Sequence, residues 1–225
     1  ILIIAIITGI ATFVVLKKSE NDRNYTIEKI DKYNYLVLKT NKSYGVIDNN
    51  GNTIIDAEYE KIIIPNPTKD VFVCSKGKET FILNSNKEKL FEEYDSVEPI
   101  KLKNIASDLM YEKSVLKYKA NEKYGLINFD GKALTKAIYD NMDSISYKEG
   151  ELLVKQEEKY GVINIKGKTT IKTQYDNITS DDYSDAKEGY KSAGYIVANK
   201  SEDGYKYGYI DNKGKLQLPI EYNEI

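Results

Sequence analysis

The sequence predicts an all-β fold: an array of about five four-stranded antiparallel β-meander repeats, propeller-like or alternatively an open β-solenoid, preceded by one N-terminal transmembrane helix. Two observations carry the β array. A Tyr-Gly motif recurs along the chain with a second tyrosine at a constant distance behind it. Tyrosine is also abundant, 20 residues beside 5 phenylalanines and no tryptophan, which suits strands that carry an apolar ring with a polar tip. A third observation, an uncharged apolar run at the start, carries the helix.

That run comes first in the chain. Residues 1–16 are apolar except for Thr8 and Thr12, and Lys17 and Lys18 close the stretch. As a helix it reaches about 24 Å, against a hydrocarbon core of ~30 Å. Residues 1–18 read as an uncleaved single-span anchor. A cleaved signal peptide is the alternative, although no small-x-small cleavage site follows Leu16. Residues 19–32 read as a linker, and residues 33–225 as a repeat domain held outside the cytoplasm.

Within that domain four segments align: Tyr44-Gly45-Val46-Ile47-Asp48, Tyr124-Gly125-Leu126-Ile127-Asn128, Tyr160-Gly161-Val162-Ile163-Asn164 and Tyr207-Gly208-Tyr209-Ile210-Asp211. Each is followed by a glycine, Gly51, Gly131, Gly167 or Gly214, and by a closing tyrosine 15 residues after the first: Tyr59, Tyr139, Tyr175 and Tyr222. A decayed copy lies between them, with Glu79-Thr80 in place of Tyr-Gly and Tyr94 falling 15 residues after Glu79. The repeats run over residues 33–66, 70–99, 113–147, 150–180 and 194–225, approximately.

Each copy reads as strands. An apolar stretch such as Tyr35-Leu36-Val37-Leu38 is the first, and the Tyr-Gly segment is the second. The Asp/Asn-x-x-Gly that follows is hairpin-turn chemistry. A short run such as Thr53-Ile54-Ile55 is the third, and the closing Tyr-x-x-Ile is a fourth strand or an extended corner. Gly125 and Gly161 are expected mid-strand, where a bulge or a packed ring approaches the backbone. The closing tyrosines are expected in equivalent, mostly buried places. Their rings read as packing between repeats rather than as a sugar-stacking platform.

These motifs resemble the WG-repeat family, also called KWG repeats, bacterial arrays of a Trp-Gly-containing β unit. The resemblance covers roughly residues 33–225, with tyrosine standing where the family has tryptophan. It implies a repetitive β scaffold used for binding, often in envelope-associated proteins. Over four intervals from Tyr44 to Tyr207 the repeat averages about 41 residues, the size of a propeller blade.

The composition argues against chemistry within these residues. Histidine is absent, which removes the commonest general base and zinc ligand. Cys74 sits in an apolar strand, where a buried thiol is favoured over a nucleophile. Lys+Arg number 33 against Asp+Glu 35, so no field draws the chain to nucleic acid. The Asp48 to Gly51 and Asp211 to Gly214 turns lack the spaced carboxylates of a calcium loop. Neighbouring pairs such as Glu92-Glu93 point to opposite faces of a strand. No catalytic residue, cofactor or metal site is expected; the oxygen-rich Asp181, Asp182, Asp185 stretch reads as solvated loop.

Loop length is the informative irregularity. The second and fourth connections between copies are each about ten residues longer than the others, and corresponding insertions in an array emerge on one face. They cover roughly residues 98–113 and 179–194. The binding residues they offer are Lys101, Lys103, Met110 and Tyr111 in the first, and Asp181, Asp182, Tyr183 and Tyr190 in the second. The sequence thus points to a membrane-anchored, non-enzymatic binding or scaffold module of the envelope, recognising a protein or a cell-wall glycan. The alternative is an accessory repeat domain of an envelope hydrolase whose catalytic part lies outside these residues.

Overall fold

The computed structural model describes residues 33–40, 43–102, 110–146, 149–185 and 189–225, with four short N-terminal strands, β1 (Ile4–Ile6), β2 (Val14–Val15), β3 (Lys17–Lys18) and β4 (Tyr25–Thr26). All regular structure among these residues is strand. The expected N-terminal helix finds no support: most of residues 1–32 lie outside the described part, and the pieces within it are strands. Among the described residues no helix is long and apolar enough to cross a membrane. β1 instead pairs antiparallel with residues 37–39. The run is rich in isoleucine and valine, whose branched Cβ favours extended backbone beside a strand partner.

The chain divides into two compact units, residues 1–93 with 109–113, and residues 94–108 with 114–225. In the first, β5 (Tyr35–Lys39), β6 (Tyr44–Asp48) and β7 (Thr53–Tyr59) continue from β1 as one sheet. A three-stranded sheet of β8 (Lys61–Ile63), β9 (Phe72–Lys76) and β10 (Glu79–Leu83) follows. Val37, Val46 and Ile55 of one sheet form a core with Ile62, Phe72, Cys74 and Leu83 of the other.

The second unit opens with a three-stranded sheet of β11 (Ser96–Lys101), β12 (Tyr111–Ala120) and β13 (Lys123–Asn128). Next comes β14 (Asn141–Ser144), β15 (Glu151–Gln156), β16 (Lys159–Asn164) and β17 (Thr169–Tyr175), then β18 (Asn177–Asp185), β19 (Gly189–Ser201), β20 (Gly204–Asp211) and β21 (Leu216–Tyr222), each four strands in sequence order. The β14–β17 sheet is buried on both sides. Leu152, Val154 and Ile163 pack with Val115, Leu126 and Tyr139, whereas Val162 and Ile171 pack with Tyr195, Val197 and Ile210. Alternate residues of a strand point to opposite faces, which is why these strands read as nearly continuous apolar runs. The expected propeller-like closure is not found: among the described residues every sheet is open, and no pairing links one to another.

The sheets are offset from the sequence repeats. The closing tyrosine ends a sheet or its edge; one residue later the chain turns, and the Tyr-x-x-Ile stretch becomes the first strand of the following sheet, as in β8, β14 and β18. The corner amides of Glu60, Asp95, Asp140 and Asp176 donate to the carbonyls of Ser75, Lys119, Lys155 and Ala198 on that sheet's second strand. The 15-residue spacing is a cross-strand pair: Tyr44–Tyr59, Tyr160–Tyr175 and Tyr207–Tyr222 lie directly opposite, and Tyr124–Tyr139 form an isolated bridge. Burial is less uniform than expected. Tyr139 and Tyr175 are buried, Tyr59 and Tyr94 half-buried, and Tyr222 is 41% exposed.

The motif glycine lies where another chain segment needs its side. In β7, β17 and β21 the strand bulges, and a Cβ on Gly45, Gly161 or Gly208 would come within 2.5, 2.7 and 2.8 Å of the Ile55, Ile171 and Leu218 carbonyl oxygens. Over Gly125 lies the Tyr118 ring, 2.5 Å from the same virtual atom. That ring packs against Tyr94, centroids 4.4 Å apart, and its hydroxyl donates to the Thr135 carbonyl at 2.9 Å.

The decayed copy is in a different register from the expected one. Thr80 pairs with Ser75 and Phe81 with Cys74, as Tyr160 pairs with Lys155 and Gly161 with Val154. Thr80 therefore stands at the tyrosine position and Phe81 at the glycine position. Lys87, at φ 65°, takes the left-handed place of Gly131 and Gly167 in the turn. With a phenylalanine where the bulge would settle, this sheet stops at three strands.

Candidate binding site

Both long connections join the first and second strands of their sheets. Lys101 is exposed at the end of β11, Met110 is half-buried and Tyr111 buried, and Lys103 lies outside the described residues. The second connection is a β-hairpin that runs out to the Asp185–Gly189 pair, with a bulge at Asp181 and Asp182. Asp181 and Tyr183 are exposed on β18 and Asp182 is half-buried; Tyr190 falls in β19, its side chain outside the described residues.

Of the second group, the structure holds Asp181 and Asp182 in separate hydrogen bonds. Tyr209 donates to Asp181 at 3.0 Å, and the Ser180 hydroxyl lies 2.8 Å from Asp182 Oδ2. The Tyr195 hydroxyl donates to Glu151. Burial, then the Asp181 partner, push the Tyr209 phenol up to about 12. Burial and Glu151 raise Tyr195 further. Both phenols are thus fixed donors at neutral pH. Cys74 is fully buried, and burial pushes its thiol up to about 12. Among the described residues no three His, Cys, Asp or Glu side chains are placed to hold a metal ion.

A cleft of 370 Å³ lies elsewhere, against β17. Val154 and Ile163 form its floor on one face of the sheet, and Ile171 lines it from the other, all three all but buried. Gln156, Thr169, Lys172, Thr173 and Gln174 supply a polar rim with Lys172 as its one charge, and Ile138 and Tyr139 complete the wall. The opening has a local cause. Residues 130–139 do not make a regular fourth strand on β13; they meet it at bridges, Ile127–Ala133 and Tyr124–Tyr139, with Leu134 and Thr135 amides both donating to Leu126. Ile138 is left 41% exposed. The residue before the closing tyrosine is Glu58, Glu93, Gln174 and Glu221 in the other copies. That departure from a polar position is the signal in the sequence that loop lengths alone did not reveal.

A family model described as a WG containing repeat matches residues 44–65, 124–160, 160–191 and 207–225. The chain is a WG-repeat protein. The matched stretches skip the copy in which Thr80 and Phe81 replace the Tyr-Gly pair, and they include Ile138 and every residue of the cleft. No curated protein matches the chain. In this WG-repeat protein the motif residues Tyr44, Gly45, Tyr124, Gly125, Tyr160, Gly161, Tyr207 and Gly208 lie on β6, β13, β16 and β20, where Gly45, Gly161 and Gly208 make room for the following strand and Gly125 for the Tyr118 ring.

Proposed function

We propose that this WG-repeat domain is a non-enzymatic binding module of the bacterial envelope, with the cleft beside β17 as its recognition site. The observation that carries the reading is Ile138: a large apolar side chain, 41% exposed, at a repeat position that is Glu or Gln in the other copies, over an aliphatic floor. Clefts that pair apolar lining with a few polar groups are the usual places for ligands. The cleft offers little to a reaction, since its titratable groups are Lys172 and Tyr139, and burial holds the Tyr139 phenol above its ordinary value. Location outside the cytoplasm rests on the uncharged leading run, residues 1–16, as the tether.

Two measurements test this. Alkaline extraction of membranes and protease protection in intact cells should find the chain membrane-bound with the repeats accessible from outside. Immobilised chain should retain solubilised envelope proteins or cell-wall fragments, and Ile138→Gln should release them without a change in melting temperature. Equal retention by Ile138→Gln would remove the cleft from the account.

A further inference from the structure

Within the binding-module reading, we infer that the cleft takes an extended peptide in which an apolar residue is followed by a carboxylate, the peptide lying along β17 as an added strand. β17 is the edge strand of its sheet, so one side of its backbone has no strand partner and is the surface on which an extended chain can pair. Five of its residues, from Thr169 to Gln174, line the cleft. A peptide pairing there would bring alternate side chains over Val154 and Ile163. Ile138 would cover the inserted side chain from the opposite wall.

Charge selects the neighbouring residue. Lys172 is the one charged side chain of the lining, no carboxylate lies beside it there, and it joins none of the described ion pairs. An anionic group next to the apolar anchor is the complement. A sugar is the poorer occupant. Glycan platforms use an open aromatic face, and the aromatic of this cleft, Tyr139, is 7% exposed.

The test uses the full chain and a fluorescein-labelled, acetylated and amidated peptide with a Thr-Val-Leu-Glu-Thr core, followed by anisotropy. Saturable binding is expected, weakened about tenfold when the peptide leucine becomes serine, as loss of a buried aliphatic side chain requires, and about fivefold when its glutamate becomes glutamine. Lys172→Glu should lose the preference for the acidic peptide and regain affinity for one with lysine in its place. Ile138→Gln should weaken the parent peptide about tenfold at unchanged melting temperature. Equal binding of all the peptides, or an unaltered preference in Lys172→Glu, would overturn the assignment. Saturation by an N-acetylglucosamine oligosaccharide but by no peptide, abolished in Ile138→Gln, would reject the peptide and keep the binding module. Should neither probe saturate, and Ile138→Gln leave envelope retention unchanged, both readings fall.

Discussion

A Cβ on Gly161 would meet the Ile171 carbonyl oxygen at 2.7 Å, and one on Gly125 would meet the Tyr118 ring at 2.5 Å. The distances are close but the obstacles differ. A carbonyl held in a bulge moves only with its strand, whereas a ring can turn about χ1 and give up one hydrogen bond. Gly161→Ala should therefore cost more stability than Gly125→Ala, by roughly 1 kcal/mol; the opposite order in thermal melts would make the ring the rigid partner. A second device at this scale is the corner carboxylate. Lys123 pairs with Asp140, and Lys159 with Asp176 at 2.7 Å, while the second oxygen of each accepts a backbone amide of the following sheet, Glu157 or Lys200, at 2.8 Å. The lysine partner first, and then that amide, hold both aspartates below the usual carboxylate range. Their folded pKa is depressed, so the stabilisation is full above the unfolded value of about 4 and disappears as pH falls through the folded value. The unfolding midpoint should be level from neutral pH to about 5 and then decline. The decline should be shallower in the Asp140→Asn, Asp176→Asn double variant, and an identical acid limb would deny the corners that role.

At the scale of elements, the β15–β16 hairpin turns through Glu157 and Glu158 at φ 50° and 65°. Both central residues are left-handed, the geometry that Asn-Gly provides at least cost. Replacing Glu157 by Asn and Glu158 by Gly should raise stability by about 1 kcal/mol, since a side chain in that region costs roughly 1–2 kcal/mol per residue. The Lys155–Glu158 ion pair that the exchange removes is exposed, 86% at Glu158, and such pairs contribute little. No gain in chemical denaturation would mean that the native turn relieves the strain elsewhere. Much at this scale is legible in the sequence. The constant tyrosine spacing is a cross-strand pair, and the motif glycine does meet a bulge or a ring. The decayed copy is one residue out of its expected alignment, because its closing segment is one residue shorter and Tyr94 still falls at the familiar distance from the wrong partner. The leading run signals a helix by its hydropathy, while its isoleucine and valine content equally suits the strands that parts of it form.

For the molecule as a whole, repetition explains which surfaces are spent and which are left. A sheet such as β14–β17 spends both faces on its neighbours, so a surface left open comes from an irregularity in the array. Long loops are one kind of irregularity and are visible as spacing. The cleft is another; it arises from a strand that fails to form over residues 130–139, and only Ile138 hints at it in the sequence. The offset between repeat and sheet has a further consequence. Because each copy carries the first strand of its successor, the chain can be shortened at equivalent corners without stranding an edge. Excision of residues 141–176 would splice Asp140 to Asn177 and hand β18 the place of β14. The joined faces would then set Tyr195 where Leu152 packs, an overfilling of about 1–3 kcal/mol, within the usual reserve of a domain. Such a shortened chain should still melt cooperatively. Length in this architecture would then be a heritable variable, gained or lost one corner at a time.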